Sequence, residues 1–170
     1  MNTAVSEQSN PEEISEALIE FFGSGGTVKT LKDIPPGAIE GGYATALNFY
    51  ENGRLKDSEK IFQLLCLLDH YDPRFFMGLG ACRQQMEQYE QAIESYSFVT
   101  VLDCNDPRPP FHSAECHMAL GKLEEAKSGF YAASHFEGGG ERFKELRERA
   151  RAMYALVSKK MDTVAKADDR

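Results

Sequence analysis

The sequence has no CxxC pair, no apolar run near the roughly 18 residues a membrane span needs, and no excess of basic residues. Its opening, MNTAVSEQSN, has neither a basic n-region nor an apolar h-region, so a cleaved secretion signal is not expected. It also lacks GxxxxGK[ST] and GxGxxG, and no nucleotide or other cofactor is implied. Lys and Arg number 19 against 27 Asp and Glu, a formal net charge of −8, whereas a nucleic-acid surface needs clustered cations. The four cysteines, Cys66, Cys82, Cys104 and Cys116, are spaced 16, 22 and 12 residues apart and fit no zinc template. Each lies in an apolar or helical stretch, so all four are expected to be reduced thiols acting as small hydrophobes. What remains is a chain of 170 residues, 42% hydrophobic and 11% aromatic. That is long enough for one domain with a real core and too apolar for disorder. The expectation is an acidic, cytoplasmic domain with no nucleic-acid partner and no stable membrane insertion.

The positive signal is a repeat of 34 residues, visible in the windows 39–72, 73–106 and 107–140. A small residue recurs at Ser58, Ala92 and Ala126, and an aromatic follows four residues later at Phe62, Tyr96 and Phe130. Leu65, Val99 and Ala133 stand three further on, and a second small set falls earlier at Ala46, Gly80 and Ala114. The turns repeat as well: Gly53, Glu87 and Gly121, then Leu55, Tyr89 and Leu123. Asp72-Pro73 and Asp106-Pro107 mark the joints, each read as an Asp N-cap followed by Pro at the first helical position. This pattern resembles the tetratricopeptide repeat, a helix pair that packs closely enough to stack on the next pair. The fold expected is all-α, a short solenoid of three helix pairs.

The flanks complete that picture. Residues 1–10 are polar and expected to fray, and 11–38 to hold an N-terminal helix and a connector. Over 12–22, Ile14, Leu18, Phe21 and Phe22 share one helical face opposite Glu13, Glu16 and Glu20, and Gly23-Ser24-Gly25-Gly26 stops the helix. That face can dock on its own solenoid or pair with a second subunit. Pro35-Pro36-Gly37 and Gly41-Gly42 are expected to weaken the start of the first repeat helix. After the repeats, 141–160 places Phe143, Leu146, Ala150, Met153 and Val157 at helical spacing, with seven basic residues against three acidic. It reads as a capping helix, followed by a solvated tail at 161–170.

In tetratricopeptide solenoids the first helix of each repeat lines a concave groove, which the resemblance maps onto particular positions here. They are Glu40, Tyr43, Leu47 and Tyr50; Arg74, Met77, Ala81 and Gln84; Arg108, Phe111, Glu115 and Met118. A strip of Tyr and Met suits a surface that accepts several apolar side chains. Co-chaperones of this fold that clamp a C-terminal carboxylate use Lys and Asn where Tyr43, Leu47 and Glu51 stand, which sets that mode aside.

Three stretches outside the repeat's own demands sharpen the resemblance: 62–84 (FQLLCLLDHYDPRFFMGLGACRQ), 107–117 (PRPPFHSAECH) and 128–131 (SGFY). With Gly25-Gly26-Thr27 they resemble the class II chaperones of bacterial type III secretion. That resemblance implies a cytoplasmic chaperone that holds hydrophobic, pore-forming translocators before export. It implies an extended N-terminal segment of the translocator in the groove, at Tyr43, Tyr50, Phe111 and their neighbours. It further implies a homodimer through the N-terminal helix, with Ile14, Leu18, Phe21 and Phe22 as contacts. Leu47 departs from the aromatic common in that family, which implies a pocket of different shape. An adaptor for another bacterial assembly would present the same groove. An enzyme is disfavoured: the nearest constellation is His112, Glu115, Cys116 and His117, with no oxyanion loop beside it. His112 and Cys116, four apart, are also the one pair suggestive of metal, and two ligands on one turn do not make a site.

Overall fold

The computed structural model describes the backbone of residues 11–138 and 140–168 and the side chains of 15–138 and 140–164. The described residues contain helices and turns and no strand. The order is α1 (Pro11–Gly23), α2 (Val28–Leu31), α3 (Pro36–Glu51), α4 (Leu55–Leu68), α5 (Pro73–Gln85), α6 (Tyr89–Leu102), α7 (Arg108–Ala119) and α8 (Leu123–Ser134). A 3₁₀ turn at Gly140–Phe143 leads into α9 (Lys144–Asp168). From α3 onward each helix packs on its predecessor and its successor, and α3 also touches α5. That is the stacking of a tetratricopeptide solenoid, with α3/α4, α5/α6 and α7/α8 as its three pairs.

The repeated columns explain why the pairs close. Ala46, Ala92, Ala114 and Ala126 are fully buried, and so are the aromatics Phe62, Phe130 and, within 1%, Tyr96. A Cβ on Gly80 would fall 2.6 Å from the Tyr96 ring, and one on Gly78 2.3 Å from the Phe62 ring, so α5 approaches α4 and α6 as only glycine permits. In the first repeat Ser58 fills the small position, and its hydroxyl must be satisfied in the core. It donates to the Ala46 carbonyl at 2.7 Å and receives the Cys82 thiol at 3.2 Å. The three within-pair turns share one left-handed residue: Gly53 at φ 73°, Glu87 at 61° and Gly121 at 75°. Glu87 adopts there a conformation that ordinarily goes to glycine.

Asp72 caps α5 as expected, its carboxylate accepting from the Arg74 amide at 3.0 Å with Pro73 in the first turn. At the next joint the same contact forms, Asp106 to the Arg108 amide at 2.9 Å, but α7 starts at Arg108 with Pro107 as its cap residue. The helix there opens one residue later than the sequence reading places it. α2 is tied down by Thr27, which accepts from the Thr30 amide, and by an ion pair from Lys29 to the buried Asp69.

Three expectations change. The first repeat helix is unbroken at its start: α3 begins at Pro36, three residues before the expected boundary, and runs through Gly37, Gly41 and Gly42. Burial of Ile39 and Ala46 against α4 and α5 outweighs the glycine propensity cost of about 1 kcal/mol each. The C-terminal helix does not end at residue 160. It continues to Asp168, so 161–168 is helix; Met161 packs on the core beside Val157, while Asp162, Thr163 and Val164 are exposed. Cys104 is exposed in the turn after α6, unlike the buried Cys66, Cys82 and Cys116. Burial pushes the Cys66 and Cys116 thiols up to about 12, although nearby charge at Arg83 lowers Cys66 a little. The expectations for 1–10, for the side chain of Ile14 and for 169–170 lie outside the described residues.

α1 does not bury its apolar face on the solenoid. Leu18 and Phe22 remain 38% and 37% exposed, Ile19 is open, and Phe21 is half-buried over Gly26. Among its described residues, that face is not docked on the repeats.

Candidate functional site: a two-chambered concave groove

α3, α5 and α7 turn one face each toward a groove that holds two adjoining cavities. The first, about 250 Å3, is walled by Tyr43, Leu47 and Tyr50 from α3, by Arg74, Met77 and Ala81 from α5, and by Arg108 from α7. Phe62 of α4 and Val99 of α6 reach through between the lining helices to form its floor. The second, about 240 Å3, shares Tyr50, Met77 and Ala81 with the first and is closed by Gln84, Gln85, Tyr96, His112 and Glu115. Both fall below the roughly 300 Å3 at which small-molecule sites begin, so each suits one or two side chains rather than a free ligand.

The mouth of the first cavity is charged, and both of its arginines are paired with carboxylates. Arg74 donates to Asp72 at 2.6 Å and to Glu40 at 2.8 Å, and its guanidinium lies 4.9 Å from the centre of the Tyr43 ring. The hydrogen bond from Arg74 holds the Glu40 carboxyl below its usual range, and the same bonds raise Arg74. Arg108 is pinned in the same way by Asp106, at 2.5 Å. Each repeat joint therefore spends one Asp on two tasks, capping the next helix and locking the Arg beside the groove.

The second cavity is polar at its base. The Tyr96 hydroxyl donates to the Gln84 carbonyl oxygen at 2.7 Å, and the Gln84 amide donates to Glu115 at 3.2 Å. His112 Nδ1 lies 2.9 Å from the same Glu115 oxygen, and its ring stacks on Tyr96 at 5.6 Å between centroids. Burial pushes the Glu115 carboxyl up, yet the hydrogen bonds and charge from His112, with Gln84 and Arg149, pull it down further, so it is ionised at neutral pH.

Of the twelve groove residues expected from the sequence, nine line the cavities: Tyr43, Leu47, Tyr50, Arg74, Met77, Ala81, Gln84, Arg108 and Glu115. Glu40 stands at the rim on Arg74. Phe111 is misplaced by the sequence reading. It is fully buried, edge-on to Phe130 at 5.5 Å, with the Arg149 guanidinium of α9 5.0 Å from its ring centre. Met118 belongs to the same core and is half-buried against it. The groove thus ends where α9 covers α7. Phe62, Val99, Tyr96 and His112 line the cavities without having been assigned to the groove. The aromatic column of the repeat was the available signal for Phe62 and Tyr96, since a large ring in a thin wall shows on both sides.

Among the described residues no group of three or more His, Cys, Asp and Glu is placed to hold a metal ion. His112 is engaged with Glu115 while Cys116 is buried with Ala92 and Tyr96.

A tetratricopeptide repeat family model matches residues 75–106. Low calcium response locus protein H of Yersinia pestis is 43% identical over 156 residues, 92% of this chain and 93% of the relative. The structure of the Yersinia enterocolitica type III secretion translocator chaperone SycD superposes with a TM-score of 0.73 at 47% identity, covering 77% of this chain and 98% of that one. This chain belongs to the class II type III secretion translocator chaperones. Another chaperone of that family, PcrH of Pseudomonas aeruginosa, has been solved with the chaperone-binding region of PopD. It covers 75% of this chain and 96% of its own at 47% identity, with a TM-score of 0.73. SycD has also been solved as an alternative dimer. In this translocator chaperone, as its described residues show, no helix is long and apolar enough to cross a membrane.

Proposed function

We propose that this chaperone holds an extended N-terminal segment of a hydrophobic translocator in the groove, in the bacterial cytoplasm, and keeps it soluble until export. The observation that carries this reading is the pair of adjoining side-chain-sized cavities on one open face, with Tyr43, Leu47, Tyr50, Met77 and Ala81 as their walls. An extended chain places alternate side chains on one side about 7 Å apart, so neighbouring chambers suit alternate residues of one segment. Each apolar client side chain fully buried there contributes about 1.5–3 kcal/mol, offset by the cost of ordering the segment. A short segment is therefore held at micromolar strength, near −8 kcal/mol. The mechanism is holding without covalent chemistry. The rest of the client supplies apolar surface, and a carrier of net charge −8 keeps the complex dispersed. The uncovered apolar face of α1 supports pairing with a second copy in the free protein.

The test is fluorescence anisotropy with a labelled N-terminal translocator peptide. Leu47→Glu and Met77→Glu each place a charge in the first cavity's wall and are expected to weaken binding at least tenfold while the helical circular dichroism stays the same. Equal binding by the native protein and both variants would remove the groove from the mechanism.

A further inference from the structure

The two chambers differ in chemistry, and the difference bears on what the groove reads. The first is floored by Phe62 and Val99. The second is floored by a hydrogen-bond relay, Tyr96 to Gln84 to Glu115, with His112 on the same carboxylate oxygen. That relay consumes Glu115 Oε2 from two directions. Among the described residues, Oε1 meets the Arg149 guanidinium at 3.8 Å, which is longer than a hydrogen bond. Glu115, which lines this cavity together with Tyr50 and Met77, therefore keeps acceptor capacity on Oε1. An apolar side chain seated there would strip water from an ionised carboxylate and give nothing back. A side chain that donates a hydrogen bond would restore the partner that water supplied.

The geometry points to a selective second chamber: the groove binds an apolar side chain in the first cavity and, in the second, a hydrogen-bond-donating client side chain (Lys, Arg, Asn or Gln) held by Glu115. Gln84 and His112 act as positioning residues that fix the carboxylate. Tyr96 in turn fixes Gln84, whose amide otherwise rotates freely. The inference rests on the groove reading above and adds to it the identity of one side chain class and the residue that selects it. It also gives a groove role to the half-buried Glu115.

The probe is a synthetic peptide of the PopD chaperone-binding region, scanned one position at a time with Lys, Gln, Leu and Glu, with affinity read by competition anisotropy. One position is expected where Lys and Gln bind at least tenfold more tightly than Leu or Glu. Glu115→Gln, nearly isosteric, is expected to cut the Lys-over-Leu preference at that position at least fivefold and to leave Leu preferences elsewhere unchanged. Glu115→Leu is expected to reverse the preference toward Leu. If no position favours a donor, or if the preference survives Glu115→Leu in a variant with native circular dichroism, the assignment is overturned. If instead no parent peptide binds the native protein at any concentration, the groove reading itself fails. That outcome is distinct from tight binding with no donor preference.

Discussion

At Gly80 a single added carbon would fall 2.6 Å from the Tyr96 ring, whose hydroxyl is already committed to Gln84 in the groove floor. Gly41 sits in the same kind of helix with nothing within 4 Å of the same added carbon. The two glycines separate packing from propensity. Gly41→Ala should raise stability by about 0.5–1 kcal/mol, because alanine restricts the unfolded chain and favours helix. Gly80→Ala should lower it by about 1–2 kcal/mol, the clash outweighing the same propensity gain. Urea denaturation followed by circular dichroism measures both, and two changes of the same sign would contradict the close approach of α5 and α6. Phe111 poses a similar question of role. With the ring fully buried against Phe130 and Ala114, Phe111→Ala should cost about 3–5 kcal/mol of stability. Client affinity per folded molecule should stay within about threefold at low temperature, since a fold-change that small is under 1 kcal/mol. A large loss of affinity without loss of stability would return Phe111 to the groove.

Among the elements, α1 carries the least support from its own chain. Leu18 and Phe22 each leave more than a third of their surface in water, on one face of an amphipathic helix. Pairing that face with a second copy predicts that Leu18→Asp and Phe22→Asp convert a dimer into a monomer in sedimentation velocity, with groove binding retained. A dimer that survives both changes would place the contact elsewhere. How much of the helical order could be read from the residues follows from the strength of each pattern. The 34-residue columns were plain because several aligned at once: Ala46, Gly80 and Ala114 against Phe62, Tyr96 and Phe130. The end of α9 was hidden because Lys159 and Lys160 interrupt the surface pattern, while the buried spacing from Ala150 through Val157 to Met161 carries on beneath them. Phe111 was misread for a related reason. Its repeat position faces the groove in Tyr43 and Met77, but after the third pair the next helix is α9, which closes over the corresponding face of α7. Repeat position alone says nothing about what covers the last repeat. The relay beneath the second chamber was equally out of reach, since Gln84, Tyr96, His112 and Glu115 come from three helices and no local motif unites them.

For the whole molecule, a curved stack of helices presents one narrow two-chambered groove, and an acidic exterior accompanies it. On the proposed reading the apolar walls supply affinity, carboxylates pair with the guanidiniums of Arg74 and Arg108 at the mouth, and the excess of carboxylates opposes aggregation of a loaded complex. All of this depends on the client lying in the groove. A photo-crosslinking amino acid placed in turn at Leu47, at Ala81 and at the exposed Gln63 of α4, away from both cavities, tests that placement directly. With a translocator N-terminal segment, cross-links from positions 47 and 81 and none from 63 are expected, and they should disappear with excess unlabelled segment. Cross-links from 63 alone would put the client on another surface and contradict the groove.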